Sequence, residues 1–170
     1  DKDLLSLIAR AMQTSMSWFI EYQNIYEDAI RDGLTGLLNH KTFIDRAQEE
    51  IERARRFQHQ LVFLIYDLDK FKRINDTLGH PYGDYVIKTT AKIIKDNVRS
   101  IDLVARYGGE EFTVVLVNTN KEAATTVAKR IVQNIQDYNF SMNGEEVDMT
   151  ISCGLSAVSY THLRAHETTE

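Results

Sequence analysis

The stretch Arg106-Tyr107-Gly108-Gly109-Glu110-Glu111-Phe112 decides how this chain is read. Apolar, β-prone runs flank it, Leu103-Val104-Ala105 before and Phe112 to Val117 after. Two adjacent glycines between such runs predict a tight hairpin, with both at the central positions of a type I′ turn, where φ is positive. Two consecutive acids then open the second strand and point to opposite faces. One of them must stand over the sheet, beside bare glycine backbone. An acid held there is placed to fix a metal ion over a phosphate. Taken alone, the heptapeptide fits a solvated hairpin with charged edges equally well, so the rest of the chain has to separate the two.

A second acidic stretch lies upstream. Leu61 to Tyr66 is a short, continuously apolar run with the look of a central strand covered on both faces, and it ends in Asp67-Leu68-Asp69-Lys70-Phe71-Lys72-Arg73-Ile74-Asn75-Asp76. A carboxylate at the exit of a buried strand has its position fixed by the sheet, which suits a metal ligand in phosphate chemistry. Asp67 and Asp69 also match the first and third positions of a calcium-binding loop. That reading fails at position 6, where Lys72 replaces the needed glycine, and at position 12, where Leu78 replaces glutamate.

Around these stretches the periodicity predicts helices over about 4–31, 41–58, the residues after Gly79-His80-Pro81-Tyr82-Gly83-Asp84 to about Val98, and Asn120 to Asp137. The first carries Leu5, Ile8, Met12, Ser15, Phe19, Tyr22, Tyr26 and Ala29 alternately three and four apart, the spacing of a coiled-coil seam. A dimerising connector fits that seam; a helix packed on its own domain is the alternative. Asp32 to Asn39, with two glycines, predicts a compact turn, and Asn39 an N-cap for the next helix. Phe43, Ile44, Ala47, Ile51 and Ala54 mark that helix's buried side. Asn143-Gly144 predicts a second hairpin, between Phe140-Ser141-Met142 and Val147 to Leu155. Asn75 and Asp84 offer an amide and a carboxylate that together suit a purine edge, although either alone also serves as a cap.

Composition narrows the function classes. The 170 residues are 43% hydrophobic and 26% charged, enough for one folded domain with an appendage. A net charge of −5 argues against a nucleic acid polymer as partner, so phosphate handling here has to rely on metal ions and a few local cations. The single Cys153 excludes an internal disulfide and a cysteine metal cluster, and it fits a reducing, cytoplasmic setting. No apolar run approaches the length of a membrane span. Residues 158–170 lose the strand alternation and carry His162 and His166; this segment reads as a non-native tail.

Together these motifs resemble the GGDEF domain of diguanylate cyclases, in a G-G-E-E-F variant. The resemblance covers Asp32 to about Ser156. It rests on Asp32-Gly33-Leu34-Thr35-Gly36-Leu37, on Asp67 to Lys72 with Asn75-Asp76, on Gly79-His80 with Gly83-Asp84, and on Arg106 to Phe112. It implies an α+β fold, a βα sandwich of the nucleotidyl-cyclase and polymerase-palm type with a mostly antiparallel central sheet, here preceded by a long N-terminal connector helix. The implied organisation is a signalling helix over 1–31, the GGDEF domain over 32–157, incomplete at its C-terminus, and the tail.

The resemblance further implies condensation of two GTP into cyclic di-GMP, with release of two pyrophosphates, across a homodimer. Asp67 and Glu110, with the Leu68 carbonyl, would hold Mg²⁺ (or Mn²⁺). Glu111 would share a metal or take the proton of the attacking 3′-hydroxyl, and Lys72 would stabilise developing charge. Asn75, His80 and Asp84 would meet the substrate, with Phe71, Arg106, Gly108 and Gly109 around the phosphates. Arg99 and Asp102 would form an inhibitory product site, with Arg130 of a second subunit as candidate partner. An upstream sensor domain is expected, with membrane tethering of the parent protein through that region as one implied arrangement. Two departures stand out. His40 replaces the arginine usual after Asn39, and the further helix with a Lys/Arg pair, then a final strand, expected after the Thr150-Ile151-Ser152 strand, are not found. A catalytically weak receptor for cyclic di-GMP or GTP, or a dimerising relay module, is the rival reading.

Overall fold

The computed structural model describes residues 2–159; His162, His166 and most of the segment set apart at the C-terminus lie outside the described residues. The elements in chain order are α1 (Lys2–Ile30), α2 (His40–Phe57), β1 (Gln60–Leu68), α3 (Phe71–Leu78), α4 (His80–Asp96), β2 (Leu103–Gly108), β3 (Glu111–Val117), α5 (Lys121–Gln136), β4 (Phe140–Met142), β5 (Glu145–Val147) and β6 (Ile151–Ser159). Four strands form one sheet in the order β2-β3-β1-β6, every pair antiparallel, and β4-β5 form a separate hairpin. The α+β class and the antiparallel sheet are therefore as expected, with β1 central.

Two apolar layers hold the sheet. On one face Leu64, Tyr66 and Leu68 of β1, with Phe112 and Val114 of β3, pack with Val86 and Ile94 of α4 and Ile131 and Ile135 of α5. On the other, Leu61, Ala105 and Val115 pack with Phe43, Ala47 and Ala54 of α2. The second layer is shorter. Among the described residues α2 covers β2 and the start of β1, and Ile65 is left 55% exposed. The expectation that β1 is covered on both faces thus holds only for its first half. Ile44 on α2 is likewise exposed rather than buried.

Several local expectations need correction. The chain does not turn from Gly79 to Asp84. Gly79 alone, at φ 83, separates α3 from α4, and α4 begins at His80 because Pro81 in its first turn has φ already set and no N–H to leave unpaired. At the glycine hairpin, Gly108 pairs with Glu111, so the two turn residues are Gly109 and Glu110. Gly109 has φ 34, and neither Gly108 nor Glu110 has positive φ, so this is not the type I′ turn expected. A register shift between Arg106 and Gly108 moves the turn by one residue, at the place where Tyr107 packs edge-on against His40 with ring centroids 4.2 Å apart. Asn143 and Gly144, at φ 57 and 86, do form the expected hairpin, but its second strand is Glu145–Val147 and β6 leaves for the main sheet. Val158 and Ser159 pair with Leu61 and Gln60, so β6 continues past the boundary set at 157.

Helix α1 ends in a built junction. Asn39 accepts from the Thr42 N–H as the N-cap of α2, while its amide donates to the Ala29 carbonyl at the end of α1. Between them Asp32 accepts from the N–H and hydroxyl of Thr35. The Leu38 carbonyl then takes the Arg106 N–H at 3.0 Å, docking this loop on the edge of β2. Of the expected seam, Leu5 and Ile8 side chains lie outside the described ones. Met12, Phe19, Tyr22 and Tyr26 are all exposed.

Candidate active site

The acidic residues meet where β1 ends and β3 begins. Asp67 stands directly opposite Glu111 in the antiparallel register, so the two carboxylates rise from the same face. Glu110 precedes Glu111 in the turn, and its carbonyl accepts the Leu68 N–H at 3.4 Å, fastening the turn over the exit of β1. Among the described residues, none of the Asp67, Glu110 or Glu111 carboxylates has a hydrogen-bond or ion-pair partner. Nor do three acidic, histidine or cysteine side chains form a closed cage there. The donor set is open: carboxylate oxygens plus the Leu68 carbonyl. These hard oxygen ligands, left uncompensated, fit a small divalent cation such as Mg²⁺ or Mn²⁺ that keeps waters and substrate phosphates as its remaining ligands.

Asp69 was assigned no role from the sequence, and the structure gives it one. Its carboxylate accepts from the Thr150 and Ser152 hydroxyls at 2.6 and 2.7 Å, and its N–H donates to the Thr150 carbonyl. Those hydroxyls, against a smaller opposing effect of burial and with help from Lys70, hold the Asp69 carboxyl below its ordinary range. The loop after β1 is thereby strapped to the start of β6.

Beside the acids lies a cavity of about 410 Å³ lined by Phe71, Lys72, Asn75, His80, Asp84, Ile87, Arg106, Gly109 and Glu110. Eight of these nine were candidate site residues; Ile87 is the addition. Asp67, Leu68, Gly108 and Glu111 sit outside the lining, at the neighbouring strand ends. Helix α3 supplies Phe71, Lys72 and Asn75, α4 supplies His80, Asp84 and Ile87, and the hairpin supplies Arg106, Gly109 and Glu110. The side-chain oxygen of Asn75 is buried without a partner among the described residues. Arg106 lines the cavity with its guanidinium already committed: Nε and Nη2 donate to the Gly109 carbonyl at 2.9 and 2.8 Å, and Nη1 lies 3.2 Å from the Asp32 carboxylate. These contacts make it a brace for the turn. An Asx-type Asp32-x-x-Thr35 pattern was the signal by which Asp32 was findable as a structural partner.

A second cavity, of about 300 Å³, is bordered by Arg31, Arg46, Lys95, Arg99 and Asp102. Arg99 Nε lies 3.8 Å from Asp102, whose side chain is 1% exposed. Asp102 accepts from the Arg99 and Val117 N–H groups at 2.9 and 3.0 Å, so its carboxylate is a structural brace as well as a candidate ligand. Arg130 stands apart within the chain, donating to the side chain and carbonyl of Asn97. Among the described residues, no helix is long and apolar enough to cross a membrane.

Residues 29–169 match the family model described as diguanylate cyclase, GGDEF domain, which extends across the segment set apart as a tail. Diguanylate cyclase DgcP of Pseudomonas aeruginosa is 34% identical over 154 residues, 91% of this chain and 23% of that protein. Diguanylate cyclase A of Treponema denticola is 41% identical over 126 residues, 74% of this chain and 32% of that protein. This chain therefore spans a third or less of either relative's length. Among solved structures, the coiled coil and GGDEF domain of DgcB from Caulobacter crescentus, in complex with c-di-GMP, superposes with a TM-score of 0.83 at 26% identity, covering 92% of this chain and 84% of that one.

Proposed function

This chain belongs to the GGDEF domain family, and from that premise we propose that it condenses two GTP into cyclic di-GMP, releasing two pyrophosphates. One observation carries the reading: a single cavity joins Asn75 and Asp84 to Lys72 and Glu110, beside the opposed carboxylates of Asp67 and Glu111. Asp84 accepts from the N1–H and amino group of guanine, and the Asn75 amide completes the edge. His80 and Phe71 flank the substrate. Asp67, Glu110 and the Leu68 carbonyl would hold Mg²⁺ or Mn²⁺, which would supply neutralisation of the charge that develops in the transfer.

In each transfer the 3′-oxygen of one GTP forms a bond to the α-phosphorus of the other, and the bond from that phosphorus to the β-phosphate bridging oxygen breaks. Glu111 accepts the hydroxyl proton or shares in holding the ions, and Lys72 stabilises charge on the transferring phosphoryl group. Each domain presents one GTP, so two must face each other. The exposed Met12, Phe19, Tyr22 and Tyr26 of α1 supply the apolar seam for a homodimer. Arg99 and Asp102 take the product and inhibit, with Arg130 of a second subunit.

Unpartnered carboxylates favour the enzyme over a receptor, which has no use for metal ligands. Incubation with GTP and Mg²⁺ followed by nucleotide separation is the test. Cyclic di-GMP with pyrophosphate is the expected outcome; GTP retained on the protein with no dinucleotide formed would move the assignment to a receptor.

A further inference from the structure

Gly83 lies inside α4, where glycine is a poorer helix former than any residue except proline. Its φ is not positive, so backbone geometry does not require it. Space does. A Cβ at this position would stand 1.9 Å from Asn75 Oδ1, 3.0 Å from Asn75 Cγ and 3.1 Å from Phe71 Cζ. The same Oδ1 is the buried oxygen that finds no partner among the described residues. The Asn75 amide therefore occupies the volume that any side chain at 83 would take, with the Phe71 ring beside it.

We propose that Gly83 is a positioning residue for nucleobase selectivity: its missing side chain lets the Asn75 amide lie in register with Asp84, the next residue along α4. The inference rests on the reading of this cavity as a guanine nucleotide site. Asn75 comes from α3 and Asp84 from α4, so reading one base edge requires a fixed separation of the two helices at this crossing. Gly83 sets it. Alanine at 83 is compatible with the helix, and the atom it displaces is the end of a rotatable side chain. The fold is therefore kept while the amide is expelled from its place.

The test compares the 170-residue chain with Gly83→Ala, Asn75→Ala and the double variant, measuring affinity for GTP and for ATP, whose adenine carries an amine where guanine carries O6, in the presence of Mg²⁺. The unsubstituted chain prefers GTP. Gly83→Ala is expected to lose about tenfold in GTP affinity and to move the GTP/ATP ratio toward one, while its far-UV circular dichroism is unchanged. In the Asn75→Ala background, Gly83→Ala is expected to cost little further, because the side chain it chiefly displaces is already gone. An unaltered GTP/ATP ratio in Gly83→Ala, or an equal loss in both backgrounds, overturns the proposal alone. Failure of the unsubstituted chain to bind GTP overturns the nucleotide reading as well. Should Gly83→Ala fail to fold, recovery of folding in the double variant supports the clash with Asn75, and failure of both overturns it.

Discussion

Arg106 joins the carboxylate of Asp32, 3.2 Å away, to the Gly109 carbonyl of the acidic hairpin turn. Asp32 lies two residues beyond the end of α1, so one guanidinium connects the loop after α1 to the residues that present Glu110. Only 18% and 23% of the two side chains are exposed, which sets this pair apart from an ordinary surface ion pair. Lysine keeps the charge but cannot fork to two acceptors. Arg106→Lys is expected to lower GTP turnover about tenfold and to destabilise the fold by about 1.5 kcal/mol, the lower end of the range for hydrogen bonds to charged groups. For a chain of this size that is a fall of roughly 3–6 °C in Tm. Turnover equal to the unsubstituted protein's would show that the turn holds its shape without the bridge.

Acid stability follows from Asp32 and Asp69. Burial raises the Asp32 carboxyl, but the Thr35 hydroxyl and N–H together with Arg106 outweigh it and leave it below the ordinary 3.8. Asp69 is lowered from the same value, chiefly by Thr150 and Ser152. A carboxyl whose pKa is depressed on folding stabilises the folded state above its unfolded pKa, and that contribution is lost as pH falls through the folded value. The urea midpoint should therefore be level at neutral pH and fall below about pH 4. Asp69→Asn keeps an acceptor for the two hydroxyls yet removes the titration, so it should flatten that fall. An identical pH profile for Asp69→Asn would contradict the assignment.

How much of this was legible beforehand differs by element. The heptapeptide at 106–112 located the hairpin because strand-forming runs and glycines are local signals. It misplaced the turn because the bulge at Tyr107 depends on His40 and Phe43, more than 60 residues away in sequence. Asn39 was readable as a cap, since capping is a contact within one helical turn. The two faces of β1 were not readable, because an apolar run does not disclose that α2 stops short of Ile65. Eight of the nine residues lining the cavity beside the acids were named through their motifs. Asp69's strap to Thr150 and Ser152 was missed because it closes a loop of about 80 residues, with nothing local to announce it.

The opposed carboxylates yield a prediction that separates binding from folding. Asp67 and Glu111 face each other with no cation among the described residues to offset them, so removing one charge should not weaken the metal-free fold. Asp67→Asn and Glu110→Gln are each expected to retain the Tm of the unsubstituted chain without ions, and to lower the cyclase rate a hundredfold or more, about 3 kcal/mol of transition-state stabilisation. Added Mn²⁺ with GTP should raise the Tm of the unsubstituted chain and leave that of Asp67→Asn nearly fixed. Equal ligand-induced shifts in all three proteins would remove these acids from the metal site.

Arg99 and Asp102, paired in the expected inhibitory site, are predicted to behave very differently when substituted. The Arg99 side chain is 58% exposed and its contacts are with Asp102 and the Thr119 hydroxyl. Its removal should leave stability within about 0.5 kcal/mol. Asp102, itself buried, holds the N–H groups of Arg99 and Val117, and hydrogen bonds to a charged group contribute about 1.5–3 kcal/mol each. Asp102→Ala should therefore lower the Tm markedly, and any change in its inhibition would be confounded with that loss. Arg99→Ala is the clean probe. It should raise the concentration of cyclic di-GMP that halves the initial rate by tenfold or more, with uninhibited turnover retained. An unchanged inhibition curve for Arg99→Ala would mean that the product acts elsewhere, and the cavity bordered by Arg31, Arg46 and Lys95 would lose its assigned ligand.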